Sequence, residues 1–208
     1  VQAYQLAMPA DKRAQIDSAT REDLAAGIGY TWEQDVDVSG KGEIKDMAVE
    51  YTSGLIEVPY DTFVARLAPA HWGIQLDHYL GGELIVYSED KLGRAVTQLE
   101  RMVLSPFPCD WETPLTDMDM TKVEFIEYTD NSATVYWRVM HSDNDSTEED
   151  LGSVSFRAYD DFSTVVTFHS AHRLNAPLGI HLPNPIVRLT LIDFFQDHIW
   201  HYGDLVSY

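Results

Sequence analysis

His198 is a polar side chain at an apolar helix position. Placed at helical spacing, the run from Ile186 to Tyr208 sets Val187, Leu191, Ile192, Phe194, Phe195, Ile199, Tyr202, Leu205 and Val206 on one broad face. Thr190, Asp193, Asp197, His201 and Asp204 take the opposite face, and His198 falls among the apolar set. An imidazole there either closes a hydrogen bond inside a core or presents a donor to a ligand. His201 points the other way, so the pair does not converge on a metal. On the strands, period-two alternation groups Ala133, Val135, Trp137, Val139 and His141 on one face and Thr134, Tyr136, Arg138 and Met140 on the other. Glu100, Glu124, Arg138 and His172 could pair across neighbouring strands. A buried pair needs such partners, whereas the same pair on a wet face is worth less than about 1 kcal/mol. His169 and His172 lie three apart on a strand and so face opposite sides, which is no metal motif. Acid–base chemistry could draw on His198, His172, Tyr136 and Arg138. No CxxC, HExxH, GxSxG, P-loop or GxGxxG occurs, so no catalytic residue, metal or cofactor is assigned.

The composition restricts the partners. The formal charge is −20, from 34 acidic against 14 basic residues, which excludes the basic footprint of a nucleic-acid or anionic-membrane binder. At 208 residues with 45% hydrophobic content the chain can bury a real core. No run of about 18 apolar residues is present to span a membrane as a helix. Cys109, between Pro108 and Asp110, is the single cysteine, so no internal disulfide forms. A monomer is expected. The compartment is open: cytoplasmic is favoured, and export after removal of a leader before Val1 is the alternative.

The side chains above need elements to hold them. Residues 9–26 read as a helix opened by Pro9, with a capping box at Thr20–Asp23 and a stop at Gly27. Tyr30 to Val38 alternates as a strand, Ser39–Gly42 turns, and a strand follows from Ile44 to Val58 with Gly54 as a candidate bulge. Asp61–Leu67 is a short helix, Pro69–Tyr79 a second, and Gly81-Gly82 ends this insert. Six strands then run over Glu83–Tyr87, Gly93–Leu104, Thr121–Tyr128, Ala133–His141, Val154–Tyr159 and Ser163–Leu174. Acidic residues from Ser142 to Asp150 form a loop, and Ser105–Met118 is a long Pro- and Trp-bearing excursion of the kind that is often functional. Asn184 caps the final helix, with Pro185 at its first position. The order gives an α+β architecture, a curved antiparallel sheet of about seven strands around a long C-terminal helix. Residues 1–43 form an N-terminal extension and 44–208 the domain proper.

That order resembles the helix-grip fold of the START and Bet v 1-like superfamily. Val58-Pro59-Tyr60-Asp61-Thr62-Phe63-Val64 and Trp72 look like the family's strand exit, first short helix and following tryptophan. Asn175–Pro185 is similar to the loop before its lid helix, and the N-terminal elements are closer to START domains than to the minimal Bet v 1 form. The resemblance implies a tunnel for a lipid, sterol or similar hydrophobic molecule, closed by residues 175–185 and the last helix. Its expected lining is His198, Arg138, Glu100, Glu124, His172, Trp137, Phe194, Phe195, Leu191, Tyr202, Leu178 and Ile180, and the resemblance implies one acidic–basic pair in the tunnel, expected to be Arg138 with Glu100 or Glu124. Binding, with transport of the ligand, is the first expectation, and the 176–185 loop would make transient membrane or protein contacts. A polyketide cyclase or aromatase-dehydratase working in the same cavity is the alternative. A partner-binding domain with a filled core is the second.

Overall fold

The computed structural model describes residues 6–67, 69, 72, 79–104, 118–143, 147–176, 180–181 and 183–207. Two short helices, α1 (Ala10–Asp17) and α2 (Arg21–Ala26), stand where the sequence suggested one. The break has a local cause. The Thr20 hydroxyl accepts the Asp23 N–H and the Asp23 carboxylate accepts the Thr20 N–H, so a new helix starts there. Gly27, at φ +82°, ends it.

Strands β1 (Ile28–Val38) and β2 (Gly42–Ile56) form a hairpin, followed by α3 (Tyr60–Leu67). Then come β3 (Tyr79–Glu89), β4 (Ala95–Leu104), β5 (Met118–Thr129), β6 (Ser132–Ser142), β7 (Thr147–Asp160), β8 (Ser163–Ala176), β9 (Ile180–His181) and α4 (Asn184–Ser207). The sheet is antiparallel throughout, in the order β1-β2-β8-β7-β6-β5-β4-β3, with β9 paired to the end of β8.

Several boundaries differ from the sequence reading, each for a visible reason. β7 starts at Thr147 rather than Val154, because Glu149 and Asp150 have cationic partners that let an acidic segment join a sheet. Gly81 and Gly82 lie inside edge strand β3; a Cβ on Gly82 would sit 2.4 Å from the Arg101 carbonyl oxygen. The β1–β2 register shifts between Gln34 and Val36, where Lys45 and Asp46 of β2 stand against Asp35, and not at Gly54. Gly54 instead makes room for α4: a Cβ there would meet Ile199 at 2.8 Å, and one on Gly29 would meet Ile192 at 2.5 Å. Asn184 is the first residue of α4 rather than its cap, and its side-chain amide donates to the Asp46 carbonyl. Of the expected helix at 69–79, Pro69 and Trp72 are described as 3₁₀ and Tyr79 as the first residue of strand β3. Cys109 and nearly all of the 105–118 excursion lie outside the described residues.

The sheet buries both faces. On the concave side α4 covers the floor with Val187, Leu191, Phe195, Ile199, Tyr202 and Val206, against Val135, Val154, Phe156, Val166 and Phe168. On the convex side Leu6 and Met8 cover Trp32, Val36, Val38, Met47, Val49, Leu151 and Ala171. Alternation along β2 and β8 therefore assigns each residue to one of two apolar layers.

Candidate ligand-binding site

The strand registers align polar residues into a band across the concave floor. Glu50 of β2 faces Ser170 of β8, Ser170 faces Gly152 of β7, and Gly152 faces Trp137 of β6. Trp137 faces Glu124 of β5, and Glu124 faces Gln98 of β4. Two residues further along, His172 faces Asp150, and Lys122 faces Glu100. Glu50, Gln98, Glu100, Lys122, Glu124, Ser170 and His172 are all buried. Apolar rows flank this belt, with Val96, Ile126, Val135, Val154 and Phe168 on one side and Met102, Met120 and Val139 on the other.

The belt has two halves. In the first, the Lys122 ammonium lies 2.8 Å from Glu124 Oε1 and 3.3 Å from Glu100 Oε2, with its nitrogen 4.1 Å from the centroid of the Trp72 indole. The Trp72 indole N–H donates to Glu124 Oε1 at 2.6 Å, and the Gln98 amide donates to the other carboxylate oxygen. One lysine thus holds two carboxylates out of water, an arrangement that survives only with such added donors.

The second half is a hydrogen-bonded chain. Thr52 and Ser170 hydroxyls each lie 2.7 Å from a Glu50 oxygen. Ser170 Oγ is 2.6 Å from His172 Nε2, His172 Nδ1 is 3.3 Å from Asp150 Oδ2, and Trp137 Nε1 donates to Asp150 Oδ1 at 2.8 Å. Gly152 is required here: a Cβ would stand 2.4 Å from that of Ser170. Burial pushes the Glu50 carboxyl up to about 7, against the Thr52 and Ser170 hydrogen bonds. For His172, burial disfavours the imidazolium, but the charge and hydrogen bond of Asp150 outweigh it and raise the pKa. Asp150 is held below the usual carboxylate range, because His172 and the Trp137 N–H overcome its burial. With His172 charged the donors run one way: Nδ1–H to Asp150, Nε2–H to Ser170, and Ser170 O–H to Glu50. Tyr202 approaches from α4, its ring 6.4 Å from that of Phe168. Its buried phenol has no hydrogen-bond partner among the described residues, and desolvation, then the Glu124 charge, keep it neutral far above its usual range.

The structure brings Glu100, Glu124, His172 and Trp137 together on one floor, beneath Leu191, Phe195 and Tyr202, with Phe194 half-buried beside them. It does not bring Arg138. Arg138 faces Leu151 on the convex side and pairs with Glu149 at 2.7 Å, so the expected Arg138 pair with Glu100 or Glu124 is replaced by Lys122. Tyr136 shares that convex side, stacked on Phe125 at 6.5 Å. His198 is buried in α4, and its Nδ1–H donates to the Phe194 carbonyl at 2.5 Å. Arg188 turns to the Thr31 carbonyl and hydroxyl of β1. Leu178 and the Ile180 side chain lie outside the described residues. Sequence reasoning missed Lys122, Glu50, Ser170 and Asp150. The signal was there for Lys122, which alternates with Met120, Glu124 and Ile126, but a lysine on a strand is by default taken as exposed.

This fold is the helix-grip fold of START domains. Human STARD10 superposes with a TM-score of 0.58 at 9% identity, covering 99% of this chain and 82% of that one. Human StAR-related lipid transfer protein 5 gives 0.55 at 11%, covering 95% and 92%. The lipid transfer and protein localization domain of human StarD13 gives 0.52 at 8%, covering 97% and 98%. The likeness runs through nearly the whole chain, N-terminal elements included, and at these identities it is one of fold. No family model matches the chain, and no curated protein matches its sequence.

Proposed function

We propose that the protein binds a hydrophobic small molecule between α4 and the concave face of the sheet, with the polar end of the ligand at the belt. The observation that carries this reading is the belt itself: charged groups crossing a floor otherwise built of Val, Ile, Phe and Met. Ligand sites of this kind combine apolar walls with a few placed polar groups that fix orientation. A core selected for stability alone would do as well or better with apolar residues in place of such ion pairs. The fold supports the reading by analogy, since similar structures include a protein named for lipid transfer. Carrying the ligand between sites is the natural use of such a binder. The test is exposure of the purified protein to a mixed lipid extract, re-isolation, and mass spectrometry of what is retained. Enrichment of one chemical class at about one molecule per chain is expected; a protein that retains nothing overturns the reading.

A second reading is favoured by the Glu50–Ser170–His172–Asp150 chain: acid–base chemistry on a bound polyketide-like substrate, by cyclisation or dehydration. A carboxyl near 7, linked through one hydroxyl to an imidazole, can exchange a proton at neutral pH. Glu50→Gln should then abolish turnover while ligand is still retained. Turnover that persists removes Glu50 from any mechanism.

A further inference from the structure

Among the described residues the belt holds four carboxyl groups, Glu50, Glu100, Glu124 and Asp150, against two bases, Lys122 and His172. All 14 lysines and arginines of the chain fall within the described residues, and of these Lys122 alone is buried. No second lysine or arginine is therefore at hand to balance the belt. Opposite it, on the covering helix, the Tyr202 oxygen is fully buried with no hydrogen-bond partner among the described residues, and it lies close enough to feel the Glu124 charge. Excess negative charge out of water is costly unless a cation or strong donors meet it. An anionic head group would add to that excess. An ammonium would relieve it, with N–H donors for the belt carboxylates and for the Tyr202 oxygen.

We propose that the ligand is a hydrophobic amine, its protonated nitrogen seated between the belt carboxylates and Tyr202 and its apolar body along the α4-covered rows. This rests on the ligand-binding reading above and adds to it the sign of the head group.

The experiment titrates the protein with dodecylamine, dodecanol and dodecanoate, each below its micellar concentration. Fluorescence of Trp72 and Trp137, which sit in the belt, is the readout. Salt of about 0.5 M screens attraction to the acidic surface. The amine should bind at least about tenfold more tightly than the carboxylate, with the alcohol between them. Glu50→Gln and Glu124→Gln should each bring the amine-to-carboxylate ratio to within about threefold, whereas Asp193→Asn, on the exposed side of α4, should leave it unchanged. Two belt variants are used so that one failing to fold does not end the test. A wild-type protein that binds dodecanoate as tightly as dodecylamine overturns the charge assignment and leaves the binder reading standing. A ratio that no belt substitution changes also overturns it. Binding of none of the three probes overturns both.

Discussion

The two faces of the sheet handle buried charge in opposite ways. On the concave face one cation, Lys122, serves two carboxylates, Glu100 and Glu124. On the convex face one carboxylate, Glu149, serves two cations, Arg138 at 2.7 Å and Lys41 at 2.8 Å. Glu149 is fully buried, but Lys41 is half exposed, and Arg138 also reaches the Ser39 carbonyl near the surface turn. The convex cluster is a surface ion network that has buried its centre. The concave cluster is sealed, and its one lysine has no substitute. The difference is which sign is in excess, and only the convex cluster has a second counter-ion in reserve.

Lys122→Met should therefore have the largest effect. It leaves two carboxylates facing each other out of water, and breaking buried pairs in this way costs about 3–5 kcal/mol. Urea unfolding would measure it, and a loss of under about 1 kcal/mol would show that the belt is wetter than described. Replacing Lys122, Glu100 and Glu124 together by apolar residues of similar size should recover much of the loss, because the penalty lies in the unpaired charge. If the belt is kept for a ligand, that triple variant is more stable than Lys122→Met and binds nothing.

The second effect is a pH profile that the two faces pull apart. Adjacent residues of β8 point to opposite layers: Ser170 and His172 join Glu50, while His169 lies between the rings of Trp32 and Tyr51 on the convex side. Glu50 is pushed up to about 7 by burial, so its contribution is full below the unfolded value of 4.5 and is lost as pH rises through 7. The raised His172 works in the same direction, losing its contribution as pH climbs past 6.5 and through its folded value. His169 is brought down to about 4 by burial and then by Arg13, so its contribution is present above 6.5 and is lost as pH falls through 4. Each of Glu50 and His169 is worth on the order of 3 kcal/mol over its window. Between 4.5 and 6.5 they oppose one another, and above 6.5 the concave loss continues alone. Unfolding at pH 5, 6.5 and 8 should show Glu50→Gln gaining relative to wild type as pH rises, and His169→Phe gaining as it falls. Superimposable profiles for all three proteins would remove both assignments.

The frame of this contrast was legible in the sequence, but the pairing was not. The periodicity of Ile186–Tyr208, the capping box at Thr20 and the alternation in β6 and β8 gave the helix, the strands and the fold class. Glu100, Glu124, His172 and Trp137, expected to line a tunnel, do lie together on the concave face. What failed was the partner choice. The resemblance implies an acidic–basic pair in the tunnel, and Arg138 is the base expected for it. Yet which face of an antiparallel strand is inner depends on every strand register, and one residue of offset exchanges the two layers. Trp137 and Arg138, neighbours on a pleated strand, lie on opposite sides, and register alone decides which of them is inside. The acidic stretch at Glu148–Asp150 read as loop because its partners, Lys41, Arg173 and His172, come from β8 and from the β1–β2 turn, far away in the chain.

The smallest effect tests the convex half of the comparison. Lys41 is half exposed, and with Arg138 still beside Glu149 its loss leaves the carboxylate compensated. Lys41→Ala should then cost less than about 1 kcal/mol, the usual worth of an exposed pair. Arg138→Met alone should cost about 1–3 kcal/mol, because Lys41 can still neutralise Glu149 although the Arg138 hydrogen bonds to Glu149 and Ser39 are gone. Together the two leave a fully buried Glu149 with neither cation, so the double variant should fall by more than the sum of the singles. Strict additivity would mean that water already reaches Glu149, and the contrast with Lys122 would then be one of exposure rather than of counter-ion number.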